Sequence, residues 1–234
     1  MIRLHVICEG PSEEQFVNHL LRDEFRQNGI ELRPSRIGKP GKKGGGISYS
    51  RALEHLQWLL KNDSTCFCTT FFDNYGIDSK FPGKVESKAQ TASKEHTKLE
   101  AMQDAFHTAF LQKVEDDLGY QCARRFIPYI QFHEYEGLLF SDPKQLAESL
   151  EEPSLAEPFQ AIRDQFKSPE HINDDPVKAP SKRIIKYFEP YKKSKPLYAT
   201  SAALDIGLSA IQKECRLFDQ WIRLLLELAT SKDN

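Results

Sequence analysis

No apolar run in this chain approaches the roughly 20 residues needed to cross a bilayer, so a membrane span is not expected. Neither sign of charge is in marked excess: 32 Lys and Arg stand against 34 Asp and Glu, a formal charge of −2. That excludes a global positive field that would gather nucleic acid from a distance. Any such contact must come from local basic patches. Cysteine is sparse, with five residues in 234. An odd count without ligand spacing excludes a disulfide framework and argues against a zinc site. Core thiols in a reducing cytoplasm explain it better. Cys66-Phe67-Cys68 is one residue short of a CxxC, and strand alternation would point both thiols to one face. The N-terminus starts on a strand without a signal-peptide pattern, so a cytoplasmic location is the expectation.

What the chain does contain is a strand that ends in an acid and a turn. Leu4, Val6, Ile7 and Cys8 form a short apolar run, followed by Glu9, Gly10 and Pro11. Ser12 then has the look of an N-cap before a helix to Gln27, with Phe16, Leu20, Leu21 and Phe25 on one face. Thr65–Phe72 repeats the pattern and ends in Asp73-Asn74-Tyr75-Gly76. Between them, Ile30–Arg36 reads as a strand and Ser48–Asn62 as a helix. Asp78–Lys94 reads as an irregular connection, and Glu95–Asp117 as a long helix. Arg125–Phe132 reads as another strand, which Pro128 demotes to an edge or a bulge. Helical patterns dominate afterwards. A single helix over Thr200–Ala229 is expected to bury Leu204, Leu208, Ile211, Cys215, Phe218, Ile222 and Leu225, with Trp58 and Trp221 also in the core. Alternating strands and helices predict an α/β fold: a mostly parallel sheet flanked by helices. Residues 1–142 would form the core and 143–234 a helical cover packed on it, one domain overall.

Parallel strands place Glu9 and Asp73 on the same edge of the sheet, where ligands collect in open α/β folds. Two carboxylates there repel each other unless a cation joins them. Magnesium or manganese suits such a pair, completed by water and substrate phosphate. Glu134 and Glu136 follow the third strand, and both face one side if the strand runs on through Tyr135. The candidate metal ligands are thus Glu9, Asp73, Glu134 and Glu136, with Glu9, Asp73 and Glu136 carrying the chemistry of metal-assisted phosphoryl transfer. The competing reading is that each acid caps a helix or pairs with a lysine. His133 can orient an acid or serve as an ordinary strand-end histidine.

The loop Gly38–Gly46 is glycine- and lysine-rich but is not a Walker A loop, because Ile47 stands where that motif needs lysine. Its Lys42 and Lys43 are candidate phosphate ligands. Lys182 and Arg183 are a second pair, in a region where lysines alternate with Tyr187, Phe188, Tyr191 and Tyr198. That mixture suits nucleic acid as well as an amphipathic helix with snorkelling lysines.

Glu9 in Cys-Glu-Gly-Pro-Ser-Glu and Asp73 after a later strand resemble a TOPRIM domain, the metal-binding α/β module of topoisomerases, primases and OLD-type nucleases. Where that pattern has its second aspartate, this chain has Tyr75. The chain is also similar to a bacterial TOPRIM-like family of unknown function. The resemblance is carried by Glu9-Gly10, Phe72–Gly76, Phe81-Pro82-Gly83, His133–Asp142 and Ala179–Ile184, in that order. It implies a magnesium-dependent nuclease acting beside an ABC- or AAA-type ATPase in phage defence or DNA maintenance. A catalytically silent module docked on such an ATPase is the alternative, and a small-molecule phosphohydrolase a third.

Overall fold

The computed structural model describes residues 1–38, 46–92, 97–172 and 178–230. Five strands, β1 (Ile2–Cys8), β2 (Ile30–Arg36), β3 (Phe67–Asp73), β4 (Phe126–Ile127) and β5 (Ile130–Gln131), form one sheet. Its order is β2-β1-β3-β4, with β5 also on β3, and every pairing is parallel. The α/β architecture with a parallel sheet between helices is therefore as expected.

Strand alternation divides the core. Ile2, Leu4, Val6 and Cys8 of β1 face one side, where they meet Phe16, Phe25 and the C-terminal helices through Phe218, Trp221 and Leu225. Ile7, Cys66, Cys68 and Phe72 face the other, against helices Tyr49–Asn62 and Lys98–Leu118. All five cysteines are free and buried, and Cys66 and Cys68 share that second face.

Pro128 splits the last strand into β4 and β5, as its missing N–H requires. Thr70 replaces the lost ladder bonds: its hydroxyl donates to Tyr129 O (2.8 Å) and accepts from Tyr129 N (3.0 Å). Trp221 is stacked on Tyr129 at 4.2 Å between ring centroids and donates its Nε1–H to Thr69.

Several local expectations fail for identifiable reasons. Gly10 rather than Ser12 caps the first helix, because Pro11 takes the first helical position and Glu13 reaches back to the Gly10 N–H (2.8 Å). That helix runs Pro11–Phe16, passes through a π turn at Val17–Leu21 and continues as Arg22–Gln27. A short helix, Lys84–Lys88, lies inside the segment expected to be irregular. The long C-terminal helix is three: Lys195–Ile206, Leu208–Glu214 and Arg216–Thr230. Gly207, at φ +82°, breaks the first from the second, a conformation that glycine adopts without strain. Leu204, within Lys195–Ile206, is 47% exposed and not part of the buried stripe. Trp58 is not core either; it is 64% exposed on the outer face of its helix. Among the described residues, no helix is long and apolar enough to cross a membrane.

Candidate active site

Glu9 and Asp73 follow adjacent parallel strands and lie at the same edge of the sheet. The ladder carries one step past β1, with the Glu9 N–H on Phe71 O (3.2 Å). From there the Glu9 side chain crosses to β3, where its Oε2 accepts the Asp73 N–H (3.0 Å). Its carboxylate lies flat against Gly76: a Cβ at that position would stand 2.2 Å from Oε1 and 2.6 Å from Oε2. Only glycine permits this approach.

Beyond β5 the chain reverses at His133, whose φ of +76° is a strained value for a residue with a side chain. The turn delivers the Tyr135 N–H to Asp73 Oδ1 (2.9 Å). The strand does not continue through Tyr135, as the alternation argument required; Tyr135–Ser141 is a 3-10 helix. Glu134 and Glu136 still reach the site, by separate routes. Glu134 Oε2 accepts the Ser181 N–H (2.9 Å) at the start of helix Pro180–Tyr187. Glu136 is buried, with its Oε1 on Lys195 Nζ (2.8 Å) and the Tyr191 hydroxyl donating to the same oxygen (3.4 Å).

Three further residues belong here that sequence reasoning passed over. Glu13 is buried behind the Gly10 turn. Lys84 is buried after Phe81-Pro82-Gly83, and its Nζ donates to Asn74 O and Asn74 Oδ1. Lys195 holds Glu136. The signals were weak: Glu13 looked like an ordinary first-turn acid, Lys84 sat in a stretch read as irregular, and Lys195 was one of several lysines among aromatics.

The carboxyls act on one another. Burial pushes Asp73 well above the usual carboxylate range, and Glu13, Glu9, Glu136 and Glu134 push it further. Burial likewise raises Glu9; the Asp73 N–H opposes this, and Glu134 and Glu136 add to it. Glu13 is raised to about 7 by burial and by the charges of Glu136 and Glu9. Glu136 is raised by burial, with Lys195 pulling it back. Burial lowers Lys84 to about 8, Lys88 adds to the fall, and Glu9 opposes it. Burial also pulls against Lys195, but the Glu136 carboxylate holds its ammonium above the ordinary value.

Five acids and two lysines therefore share the carboxyl edge of the sheet. Each of Glu9, Asp73, Glu13 and Glu134 commits one oxygen to a backbone N–H. Among the described residues, no three His, Cys, Asp or Glu side chains are already set around a metal position. His133 lies at the rim, its ring 6.3 Å from that of the exposed Tyr75.

Lys182 and Arg183 do not join this cluster. With Lys178, Lys186 and Tyr187 they line a separate groove of about 480 Å³. Lys42 and Lys43 lie outside the described residues.

One family model, described as a domain of unknown function (DUF4276), matches residues 8–226. No curated protein and no solved structure matches the chain.

Proposed function

The chain belongs to the DUF4276 family, and we propose that it is a divalent-metal-dependent phosphodiesterase acting on nucleic acid. The observation that carries this reading is the crowding of five acids at the carboxyl edge of the sheet: Glu9, Asp73, Glu13 and Glu136 are destabilised by burial and by neighbouring carboxylates, and Glu134 stands beside them on the Ser181 N–H. Such an arrangement is costly unless a cation or protons neutralise it. The donors are all hard carboxylate oxygens, which suits magnesium or manganese and not a soft metal. Magnesium commonly takes one or two carboxylates and fills its remaining positions with water and phosphate. Glu9 and Asp73 would hold the ion, with Glu134 beside them. When bound, the ion would supply the charge that activates water and stabilises a leaving oxygen.

The protein's own groups have defined work in this reading. Lys84 and Lys195 neutralise phosphate oxygens that enter among the acids. Glu136 keeps Lys195 extended into the cluster. Glu13, raised to about 7, can take up or release a proton near neutrality. The backbone N–H groups of Asp73, Tyr135 and Ser181 fix the carboxylates so that little reorganisation is needed. Work beside an ABC- or AAA-type ATPase, in phage defence or DNA maintenance, is part of the proposal.

A second reading rests on Tyr75 in place of an acid and on the protein hydrogen bonds that already engage these carboxylates. In it the chain is a silent docking module of the ATPase. The separating experiment is cleavage of several DNA and RNA substrates with magnesium or manganese, with and without the ATPase, by wild type and Glu9→Gln. Loss of metal-dependent cleavage in the variant supports hydrolysis. Equal residual activity in both proteins under every condition would leave the docking module.

A further inference from the structure

We propose that the groove beside helix Pro180–Tyr187 binds the sugar-phosphate backbone of a single-stranded nucleic acid and leads that strand to the carboxylate cluster. This rests on the hydrolase reading for its final step but not for binding. Lys178, Lys182, Arg183 and Lys186 line the groove together with Ile162, Gln165 and Tyr187. Lys178, Lys182 and Lys186 are exposed, and among the described residues none of them forms an ion pair. A chain with a net charge of −2 has thus concentrated four cations along one groove.

The spacing is that of a track. Lys182 and Lys186 are one helical turn apart, about 6 Å along the axis, comparable to the step between successive phosphates of an extended strand. Aromatic rings accompany the charges. The Arg183 guanidinium lies 5.0 Å over the Phe166 ring, and Lys186 Nζ lies 5.0 Å from the Tyr187 ring centroid. Tyr187 is 41% exposed; its ring packs edge-on against Phe159, and a base stacking on it would share the ring with the Lys186 ammonium. Cations that follow a backbone and rings that accept bases are the two elements of sequence-tolerant single-strand binding. An acidic peptide would use the lysines but would have no need of the rings.

One helix connects this groove to the acidic site. The Ser181 N–H holds Glu134, and Lys182 is the next residue. A strand lying along Lys186 and Lys182 therefore arrives at the end of the helix where the carboxylates begin. A polymer spans both regions, and a small phosphate ester does not.

The test is binding of a labelled single-stranded oligodeoxynucleotide of about 20 nucleotides, read by fluorescence anisotropy in EDTA so that nothing is cut. The triple substitution Lys178→Gln, Lys182→Gln and Lys186→Gln should weaken binding roughly tenfold or more and lower the salt slope by about 2. The same three positions changed to Arg should bind as wild type does, because charge is kept on exposed sites. Tyr187→Ala should weaken binding severalfold by removing the stacking ring. Unchanged affinity and salt slope in the Gln triple would overturn the groove. So would displacement of the oligonucleotide by a polyglutamate peptide as readily as by unlabelled DNA. Binding that depends on the groove without cleavage under any metal would support the groove and refute the hydrolase reading. Metal-dependent cleavage by wild type with normal binding by the triple would do the reverse.

Discussion

The acidic site and the basic groove meet on helix Pro180–Tyr187, where Ser181 holds Glu134 and Lys182 turns to the groove. On one side, five acids are buried or half-buried together, four of them held by backbone N–H groups and the fifth, Glu136, by Lys195. On the other, like charges are spread along an exposed helix face where water screens them. The first arrangement raises carboxyl affinities for protons and works against folding. The second costs little. Mutually perturbed charges of this kind occur at functional sites and in structural ion-pair networks alike, and Lys195 on Glu136 supplies one such pair here. The exposed lysines suit a large and mobile anion instead.

This contrast can be broken most severely at Glu9. Glu9→Gln keeps the acceptor for the Asp73 N–H but removes a charge, and metal-dependent cleavage should fall by about 10²–10³-fold, the scale of losing one preorganised electrostatic group. Without metal, its melting temperature should stay level or rise, because a repulsion is relieved. A variant that cuts as well as wild type would remove the acidic site from the chemistry.

Next in size is Gly76→Ala. Its Cβ would fall 2.2 Å from Glu9 Oε1, so the carboxylate must leave its place. The expected cost is about 1–3 kcal/mol by chemical denaturation. Cleavage should fall with it. Normal stability and activity would mean that the Glu9 position is not tightly held.

The pH dependence sharpens the comparison further. Glu13 rises from an ordinary 4.5 to about 7 in the folded protein. The folded state therefore holds its proton more tightly than the unfolded state. This contribution to stability is fully present below about pH 4.5 and is lost as pH rises to 7. Glu170 behaves the same way, raised to about 7 by burial although it caps the last helix through Leu217 N and Phe218 N. Burial lowers His107 to about 4 and also lowers His5, His55 and His171, which opposes this fall below about pH 6.5. The readout is therefore a difference: relative to wild type in EDTA, Glu13→Gln should gain about 1–2 kcal/mol of stability between about pH 5 and 7.5. Adding magnesium should recover more stability at the upper pH than at the lower. A Glu13→Gln profile parallel to that of the wild type would contradict the crowding.

The smallest effect belongs to the groove. Lys182→Gln should change stability by no more than about 0.5 kcal/mol, since the side chain is exposed. A larger loss would show that the groove is structural.

The parallel sheet and the two acids at strand ends were legible because they depend on local rules. Apolar runs mark β1 and β3, Gly-Pro and Asn-Tyr-Gly mark their ends, and parallel pairing places Glu9 and Asp73 together. Pro128 marked an edge or a bulge for the same kind of reason, and the structure splits the strand there. Glu136 and Glu134 were found by an argument whose premise failed, since no strand continues through Tyr135. Glu13, Lys84 and Lys195 were not legible. Each is an ordinary charged residue in sequence, and its burial depends on which distant element covers it. Trp58 and Leu204 failed in the opposite direction: apolar residues that the packing leaves exposed among the described residues.

By itself, then, the sequence determined that β1, β2 and β3 are strands, that they run parallel, and that carboxylates stand at the ends of β1 and β3. Each follows from backbone sterics and side-chain periodicity within a few residues. Tertiary structure alone decided that Glu13 turns inward, that Lys195 reaches Glu136, that Lys84 is buried beside Asn74, and that Lys182 faces a groove and not the acids. Those outcomes depend on the dielectric and hydrogen-bond partners each charge meets after the helices have packed, and no short stretch of chain encodes them.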